Sequence, residues 1–304
     1  MGQRVIVITG PTCSGKSYLS LKTALFLNTE IISADSRQVY KNLNIGTAKP
    51  SQHDLKEIKH HLINILNPDE VYNASSFSID AERVITKLLS EEKTPIVSGG
   101  TGLYIKALID GIAESADKDE EIREQLLEKK KHFGFEHLYE ELKNIDPISA
   151  SKILPQNWKR VIRALEVFYV TGKPIWEHHN SQKPKIDFDY FQVGLLWNRN
   201  ELYKNINDRV DDMIEDGLVK EVKEILNEGY DKSLNSLNTV GYKEIISYLN
   251  DEISFDRAIE LIKRNTRHYA KRQMTWFNAD KRINWYQISS KKDLDDLALQ
   301  LRNN

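Results

Sequence analysis

The sequence has few of the features that mark secreted, membrane-bound or zinc-binding proteins. Its 304 residues include a single cysteine, Cys13, which excludes an internal disulfide framework and a cysteine-rich zinc module. No apolar run approaches the roughly 20 residues that a membrane span needs. The first residues enter a predicted strand without a charged and apolar leader. We therefore expect a cytoplasmic protein without a membrane segment.

An excess of charge of one sign is also missing. The 43 lysines and arginines nearly balance the 45 acidic residues, and the formal net charge is −2. The chain as a whole therefore has no electrostatic attraction for nucleic acid, and any such site must be a local patch. The length is sufficient for one large or two small domains with a substantial core.

A glycine-rich segment near the start has the clearest chemical meaning. It follows the apolar run 5–8 and precedes a helical pattern, which is the context that a G-x-x-x-x-G-K-[ST] phosphate loop requires. Backbone N–H groups of such a loop point at oxyanions, the lysine adds positive charge, and the serine can bind Mg²⁺. The predicted diphosphate-binding residues are Gly10, Pro11, Thr12, Cys13, Ser14, Gly15, Lys16 and Ser17, with Ser17 as the candidate metal ligand. We interpret Cys13 as a small residue in a tight turn, with a reactive thiol as the alternative.

Two further polar segments follow predicted buried strands. Asp35 comes directly after the apolar segment 30–34. Because ligands of open α/β sheets bind at the carboxyl ends of strands, Asp35 should lie beside the phosphate loop. It is either a helix cap or magnesium ligand, or a catalytic carboxylate. A second glycine-rich turn, 98–102, ends another strand and contains Thr101; a packing turn without a ligand is the alternative there.

The middle of the chain differs in character from both ends. Residues 113–189 show helical periodicity and dense charge with little strand signal. We predict an α/β fold in which residues 1–112 and 190–304 form a P-loop NTPase-like parallel sheet core and residues 113–189 form an inserted all-helical subdomain. His60 and His61 are adjacent, without the i, i+4 spacing of a metal-binding pair, so we predict a structural role for them.

The predicted helix 255–277 has one basic and one apolar side. Its basic residues follow i, i+4 steps, and few acidic residues accompany them. A solvated face and a face directed at a polyanion are equally good explanations of this pattern. The basic residues are Lys263, Arg264, Arg267, His268, Lys271 and Arg272; the apolar side includes Tyr269, Trp276 and Phe277.

Seven motifs, taken together and in order, resemble those of one enzyme family, the tRNA dimethylallyltransferases of bacterial type. They lie at residues 10–17, 33–40, 44–50, 98–104, 163–167, 240–244 and 266–276. The resemblance implies transfer of a dimethylallyl group from dimethylallyl diphosphate to N6 of the adenosine 3′ of the anticodon, with release of diphosphate. It also implies Mg²⁺ as the cofactor and the tRNA anticodon stem-loop as the partner, and we expect a monomer.

The resemblance assigns roles to individual residues. Asp35 corresponds to the general base, and Thr101 and Arg209 to residues that hold the diphosphate and stabilise its departure. The residues that the resemblance and the basic helix predict to face tRNA are Asp35, Ser36, Arg37, Gln38, Thr101, Arg123, Lys159, Arg160, Arg163, Thr239, Gly241, Lys243, Arg267 and Lys271. Cys13 stands where alanine is common in the family. Lys159 stands where glutamine is common, so it is a weaker candidate than Arg163.

Three other functions remain compatible with parts of this pattern. The first is a small-molecule kinase or nucleoside triphosphatase, in which Asp35 would bind Mg²⁺. The second is a transferase that prenylates free adenine nucleotides. The third is a non-catalytic RNA-binding module that a nucleotide switches. The helical insertion and the basic helix argue against the first, and the predicted tRNA-facing segments argue against the second.

Overall fold

The central sheet has six parallel strands in the part of the chain that the computed structural model describes, residues 4–112, 119–180, 186 and 188–303. The strands are β1 (Arg4–Thr9), β2 (Ile31–Ser33), β3 (His60–His61), β4 (Ile96–Ser98), β5 (Asp189–Trp197) and β6 (Asn284–Ile288), and their order across the sheet is β3-β2-β4-β1-β5-β6. β1 pairs with β4 and β5. Its residues 5–8 are almost fully buried, as expected for a parallel strand with both faces covered. The predicted α/β fold with a parallel sheet is confirmed.

Helices lie between and after the strands in chain order. They are α1 (Lys16–Leu27), α2 (Gln52–Glu57), α3 (Ala74–Ser90), α4 (Gly102–Asp110), α5 (Glu120–Ile145), α6 (Pro147–Ala150), α7 (Trp158–Thr171), α8 (Ile175–Asn180), α9 (Arg199–Glu215), α10 (Leu218–Asn227), α11 (Tyr242–Leu249), α12 (Phe255–Phe277) and α13 (Lys291–Asn303). Within the described ranges, no helix is both long and apolar enough to cross a membrane.

The chain divides into two compact units. The first comprises Met1–Ile109 and Ile186–Asn304, and the second comprises Asp110–Lys185. The predicted boundary at residue 113 lies outside the described residues. In the first unit, one core cluster joins the sheet to α1 and α13; its members include Ile6, Ile8, Leu19, Leu195 and Leu297.

The described elements of the second unit are helices α5 to α8. α5 contains a break at Gly134, whose φ of 86° is unavailable to a residue inside a helix. The break divides α5 into two arms, and apolar residues of both arms pack against α7. This small core includes Leu126, Leu138, Leu142, Val161 and Leu165. The second unit therefore has its own buried core.

One short strand was not predicted from the sequence, and one side chain differs from its prediction. His60 and His61 form the edge strand β3, which pairs with β2; two residues are too few to produce a periodic signal. Trp276, predicted on the apolar side of α12, is 41% exposed. Its ring lies over Gly102, where an added Cβ would be 2.2 Å from the Trp276 Cδ1 atom. Trp276 therefore covers the start of α4 from the surface.

The edge strand should make the stability of the fold sensitive to mild acid. Burial lowers the pKa of both His60 and His61, although His61 Nε2 lies 2.6 Å from Glu30 Oε2. Burial alone would raise the pKa of Glu30, but the hydrogen bonds from His61 and Lys93 outweigh it and hold that pKa at about 2. The Glu30 carboxylate therefore stays charged near neutral pH, and only the histidines titrate there.

We expect the Tm to fall when the pH is lowered from 7.5 to 5.5. Below a pH of about 6.5 the histidines of the unfolded chain bind protons. In the folded chain the lowered pKa values keep His60 and His61 neutral to a lower pH. Their contribution to stability is thus present above that pH and lost below it. The variant His61→Gln, which keeps a donor for Glu30, should lose less of its Tm over the same interval. Equal slopes for both proteins in a thermal melt series would contradict this assignment.

Candidate active site

The predicted phosphate loop, residues 10–17, joins β1 to α1. Gly15 occupies the N-cap position of α1 with a φ of 89°, and no side chain of the described residues caps this helix start. The first N–H groups of α1 are therefore available to an anion, which the positive end of the helix dipole favours. The indole N–H of Trp197 donates to the Ser14 carbonyl at 2.9 Å and supports the loop from β5.

A cavity of about 370 Å³ opens over this loop. Its lining residues are Thr12, Cys13, Ser14, Gly15, Lys16, Ser17, Tyr18, Ser33, Asp35, Gln38, Thr47, Ala48, Ser98, Gly99, Gly100, Asn205, Arg209, Tyr269 and Gln273. We call it the phosphate cavity. The Lys16 Nζ donates to the Pro11 carbonyl at 2.6 Å. Burial lowers the pKa of Lys16 to about 8, because a dry site disfavours the ammonium ion until an anion accompanies it.

A second cation reaches the loop from a distant part of the chain. Arg209, on α9, donates from Nη1 to the Thr12 hydroxyl at 3.3 Å and lies 3.6 Å from the Cys13 sulfur. Lys16 and Arg209 therefore bring two positive charges to one loop. This arrangement suits a ligand with more than one negative charge. Cys13, with a φ of 61°, occupies a tight turn against the guanidinium.

A second cavity of about 310 Å³ adjoins the first. Six residues line both: Thr12, Cys13, Asp35, Thr47, Arg209 and Tyr269. The residues that line only the second cavity include Ser36, Arg37, Asn238, Thr239, Gly241, Lys243, Thr266 and Arg272. We call it the base cavity. The two cavities thus meet at a shared wall that contains one carboxylate and one guanidinium.

Asp35 is held at this shared wall by its own backbone turn. Its Oδ1 atom accepts the N–H groups of Arg37 at 2.8 Å and Gln38 at 3.3 Å. These are the contacts of an Asx turn, so the carboxylate has a defined direction. Thr101 supports the same turn, because its hydroxyl accepts the Ser36 N–H at 3.0 Å. The structure thus places the Thr101 hydroxyl against the Asp35 turn, and Thr101, predicted to hold the diphosphate, does not line the phosphate cavity.

The second glycine-rich turn packs tightly against the first part of the site. An added Cβ on Gly99 would lie 2.1 Å from the Ala34 carbonyl oxygen, and one on Gly100 would lie 2.3 Å from the Gln273 Nε2 atom. Any side chain at Gly99 would collide with backbone, which cannot yield as a flexible side chain can. The glycines therefore allow β2, β4 and α12 to approach one another beside the phosphate cavity.

A buried carboxylate that the sequence analysis missed organises the loop 43–48. Glu221, on α10, accepts the N–H groups of Asn44, Ile45 and Gly46 at 3.0, 2.8 and 3.2 Å. It also accepts the Tyr242 hydroxyl at 2.6 Å. Thr47, the next residue of this loop, lines both cavities. Glu221 therefore fixes the backbone that positions Thr47. An acidic residue between Leu218, Val222 and Ile225 on the buried face of α10 was the available signal.

The predicted tRNA-facing residues fall into three places. The base cavity is lined by Asp35, Ser36, Arg37, Thr239, Gly241 and Lys243, and Gln38 lines the phosphate cavity. Arg267 and Lys271 lie on α12, where Lys271 is exposed. Arg267 donates to the Asn207 side chain at 2.6 Å. Lys263 of the same face pairs with Asp211 at 2.7 Å, so acidic residues from α9 do accompany part of this basic surface.

Of the other five predicted residues, Thr101 lines neither cavity, and four lie in the second unit. Arg123 on α5 and Arg163 on α7 both donate to Glu166 Oε2, at 3.4 and 2.9 Å. Glu166 is completely buried, so the carboxylate fixes both guanidinium groups and offsets one of their two charges. Lys159 lies beside the Trp158 ring, with Nζ 5.5 Å from its centroid, and Arg160 is exposed.

The residues around Ser17 suit Mg²⁺ only in company with a phosphate ligand. Ser17 is the second residue of α1 and lines the phosphate cavity, and Mg²⁺ is usually held by one or two protein oxygens together with substrate phosphates. Within the described residues, His53, Asp54 and Glu57 form the one three-residue group with metal-ligand spacing. It lies on α2, away from the lining of both cavities, and two of its three members are exposed.

Known proteins resemble this chain over almost its whole length. The family model described as IPP transferase matches residues 38–280. A tRNA dimethylallyltransferase of Alkaliphilus oremlandii is 46% identical over 98% of this chain and 96% of its own length. The enzyme of the same name from Acetivibrio thermocellus is 48% identical over 92% of this chain and 90% of its own.

Solved structures of similarly named enzymes also resemble this chain. A full-length tRNA isopentenylpyrophosphate transferase from Bacillus halodurans superposes with a TM-score of 0.72 and 35% identity, covering 99% of this chain and 96% of that one. A eukaryotic dimethylallyltransferase captured acting on tRNA gives a TM-score of 0.84 at 31% identity, with 98% and 77% coverage.

Proposed function

The chain belongs to the tRNA dimethylallyltransferase family, and from this premise we propose how its two cavities divide the work of transferring a dimethylallyl group to tRNA. The phosphate cavity holds dimethylallyl diphosphate by its diphosphate, and the base cavity receives the acceptor adenine. The observation that supports this division is the shared wall, where Asp35 and Arg209 line both cavities.

The acceptor side needs a base. The lone pair of an exocyclic adenine amine is delocalised into the ring, so N6 becomes an effective nucleophile only as its proton is removed. Asp35 accepts that proton while the bond between N6 and the allylic carbon forms. Its direction is set by the Arg37 and Gln38 N–H groups. The adenine has to leave the stacked anticodon loop to reach this carboxylate, and a cavity of about 310 Å³ suits a single base.

The donor side needs stabilisation of a leaving anion. As the bond between the allylic carbon and oxygen breaks, negative charge accumulates on the diphosphate. The N–H groups of the phosphate loop, Lys16 and Arg209 surround the place where this charge develops, and such preorganised donors are worth most in a dry site. Mg²⁺ bound through the Ser17 hydroxyl and diphosphate oxygens would neutralise part of this charge.

The acceptor is proposed to be the adenosine 3′ of the anticodon, bound through its stem-loop. α12 contributes Arg267 and Lys271, and the second unit contributes Arg123, Arg160 and Arg163. Arginines bind RNA phosphates through their forked donors, while unstacked bases provide the specificity. All residues named here come from one chain, so the proposal needs no second subunit.

The direct test is one incubation of the protein with unmodified tRNA, labelled dimethylallyl diphosphate and Mg²⁺. ATP hydrolysis is measured in parallel, and AMP replaces tRNA in a further sample. Label in tRNA, without ATP hydrolysis and without label in AMP, is the expected result. ATP hydrolysis with unlabelled tRNA would instead assign the phosphate loop to a nucleotide and Asp35 to a metal ligand.

The basic surface of α12 can be tested through the salt dependence of tRNA binding. We expect the double variant Arg267→Glu with Lys271→Glu to bind tRNA more weakly and to reduce the slope of log Kd against log salt by about 2, since each phosphate contact contributes nearly one unit. The matched control, Lys223→Glu with Lys232→Glu, makes the same charge change at two exposed lysines elsewhere. A slope that does not differ between the two double variants would show that this surface is only solvated.

A further inference from the structure

Gln273 is a buried amide on a helix whose exposed side is basic. It lies on α12, one turn after Tyr269, and its residue is 6% exposed. Its Oε1 atom accepts the Thr12 backbone N–H at 2.8 Å, and its Nε2 atom donates to the Gly100 carbonyl at 2.9 Å. One side chain therefore joins the phosphate loop to the second glycine-rich turn.

The space around this amide is matched to it. Gly100 has no side chain, and a Cβ there would lie 2.3 Å from Gln273 Nε2. Both backbone partners belong to residues that line the phosphate cavity. Without Gln273, the half-buried Thr12 N–H and the buried Gly100 carbonyl would each lose a partner, and leaving such groups unpaired is costly.

The Gly100 carbonyl gives this contact an electrostatic meaning. Its oxygen has a partial negative charge, and Gly100 lines the cavity that is proposed to receive a diphosphate. The Gln273 amide donates a hydrogen bond to that oxygen. This contact reduces the electrostatic repulsion between the Gly100 carbonyl and an incoming anion. The Thr12 contact acts on the other wall, where it fixes the curvature of the loop before an anion arrives.

We propose that Gln273 is a positioning residue of the donor site, which preorganises the phosphate loop and the Gly99–Gly100 turn for diphosphate. The inference rests on the proposed function, because it assumes that the phosphate cavity binds the diphosphate. The substrate does not need to contact Gln273. Its effect is on the two backbone segments that do the binding.

Two variants of Gln273 and one control test this inference. Gln273→Met has a similar volume and makes neither hydrogen bond. Gln273→Glu has the same shape and can accept from Thr12, but it cannot donate to Gly100 when ionised and adds negative charge. The control is Gln192→Met, which removes another buried amide (2% exposed) from β5 of the same unit. The measurements are the pyrophosphate Kd by calorimetry, the KM values for both substrates, and the Tm.

We expect Gln273→Met to raise the pyrophosphate Kd and the KM for dimethylallyl diphosphate roughly tenfold, the size of two lost hydrogen bonds, with the KM for tRNA nearly unchanged. Gln273→Glu should weaken pyrophosphate binding further, and it provides the test if Gln273→Met does not fold. Gln192→Met should leave the pyrophosphate Kd unchanged, whatever its effect on the Tm.

Three outcomes would contradict either the proposed function of the phosphate cavity or the positioning role of Gln273. If the wild-type protein does not bind pyrophosphate, the proposed function of the phosphate cavity fails. If the wild type binds and both Gln273 variants bind equally well, only the positioning role fails. It also fails if Gln192→Met weakens pyrophosphate as much as Gln273→Met does at a similar loss of Tm, because the effect would then follow stability alone.

Discussion

Replacing Asp35 by asparagine should lower the rate of dimethylallyl transfer by about 10²- to 10⁴-fold, the usual contribution of a general base. The amide oxygen of asparagine can still accept the Arg37 and Gln38 N–H groups that hold Asp35. The turn and the cavities should therefore persist, while the ability to take the N6 proton is lost. Single-turnover rates at saturating concentrations of both substrates are the appropriate measurement.

Binding measurements separate this chemical role from a structural one. The Asp35→Asn variant should retain the wild-type affinity for pyrophosphate and for tRNA within about twofold, since no cation and no loop N–H is removed. Asp35→Ala additionally removes the Asx turn and should show some loss of binding as well. A near-normal transfer rate in Asp35→Asn would exclude Asp35 as the base.

Replacing Lys16 by methionine should weaken pyrophosphate binding about 10²-fold at pH 7. Removing one buried charged donor to an anion reduces the stabilisation of that anion by about this factor. The loop itself should persist, since Trp197 donates to the Ser14 carbonyl and Arg209 to the Thr12 hydroxyl. Calorimetric titration with pyrophosphate measures the effect directly.

The same pair of proteins should differ in their response to pH. Burial lowers the pKa of Lys16 to about 8 in the free protein, whereas the bound diphosphate requires the ammonium form. Above pH 8, binding must therefore include uptake of a proton, and the advantage of the wild type should shrink by about 30-fold between pH 7 and 9.5. The ratio of the two affinities is the quantity to follow, because the protonation of pyrophosphate itself cancels in it. A ratio that is constant with pH would contradict the lowered pKa.

Local patterns were sufficient to predict the elements that surround the phosphate loop. The apolar run that became β1 and the sided pattern that became α12 (Phe255–Phe277) lie where the sequence predicts them. Gly217, with a φ of 99°, separates α9 from α10 in the same local way. These features depend on residues within a few positions of one another, so local sequence patterns are sufficient to predict them.

Contacts over long sequence separations could not be predicted in this way. Nothing near Gln273 indicates that its amide meets Thr12, and nothing near Glu221 indicates that it binds the N–H groups of the loop 43–48. Both residues are polar side chains on buried helix faces, which is a signal that such a partner exists but not where it lies. The pairing of Lys263 with Asp211 was missed for the same reason.

The chain order of these partners has a consequence for how the enzyme matures on the ribosome. The phosphate loop is synthesised before α12, and its support from Gln273 lies 261 residues later in the sequence. At a synthesis rate of 5–20 residues per second, the loop waits roughly 10 to 50 seconds for that support. A nascent chain that ends before α12 has been made lacks the Gln273 contact, so the proposed donor site should be completed only after α12 has been synthesised.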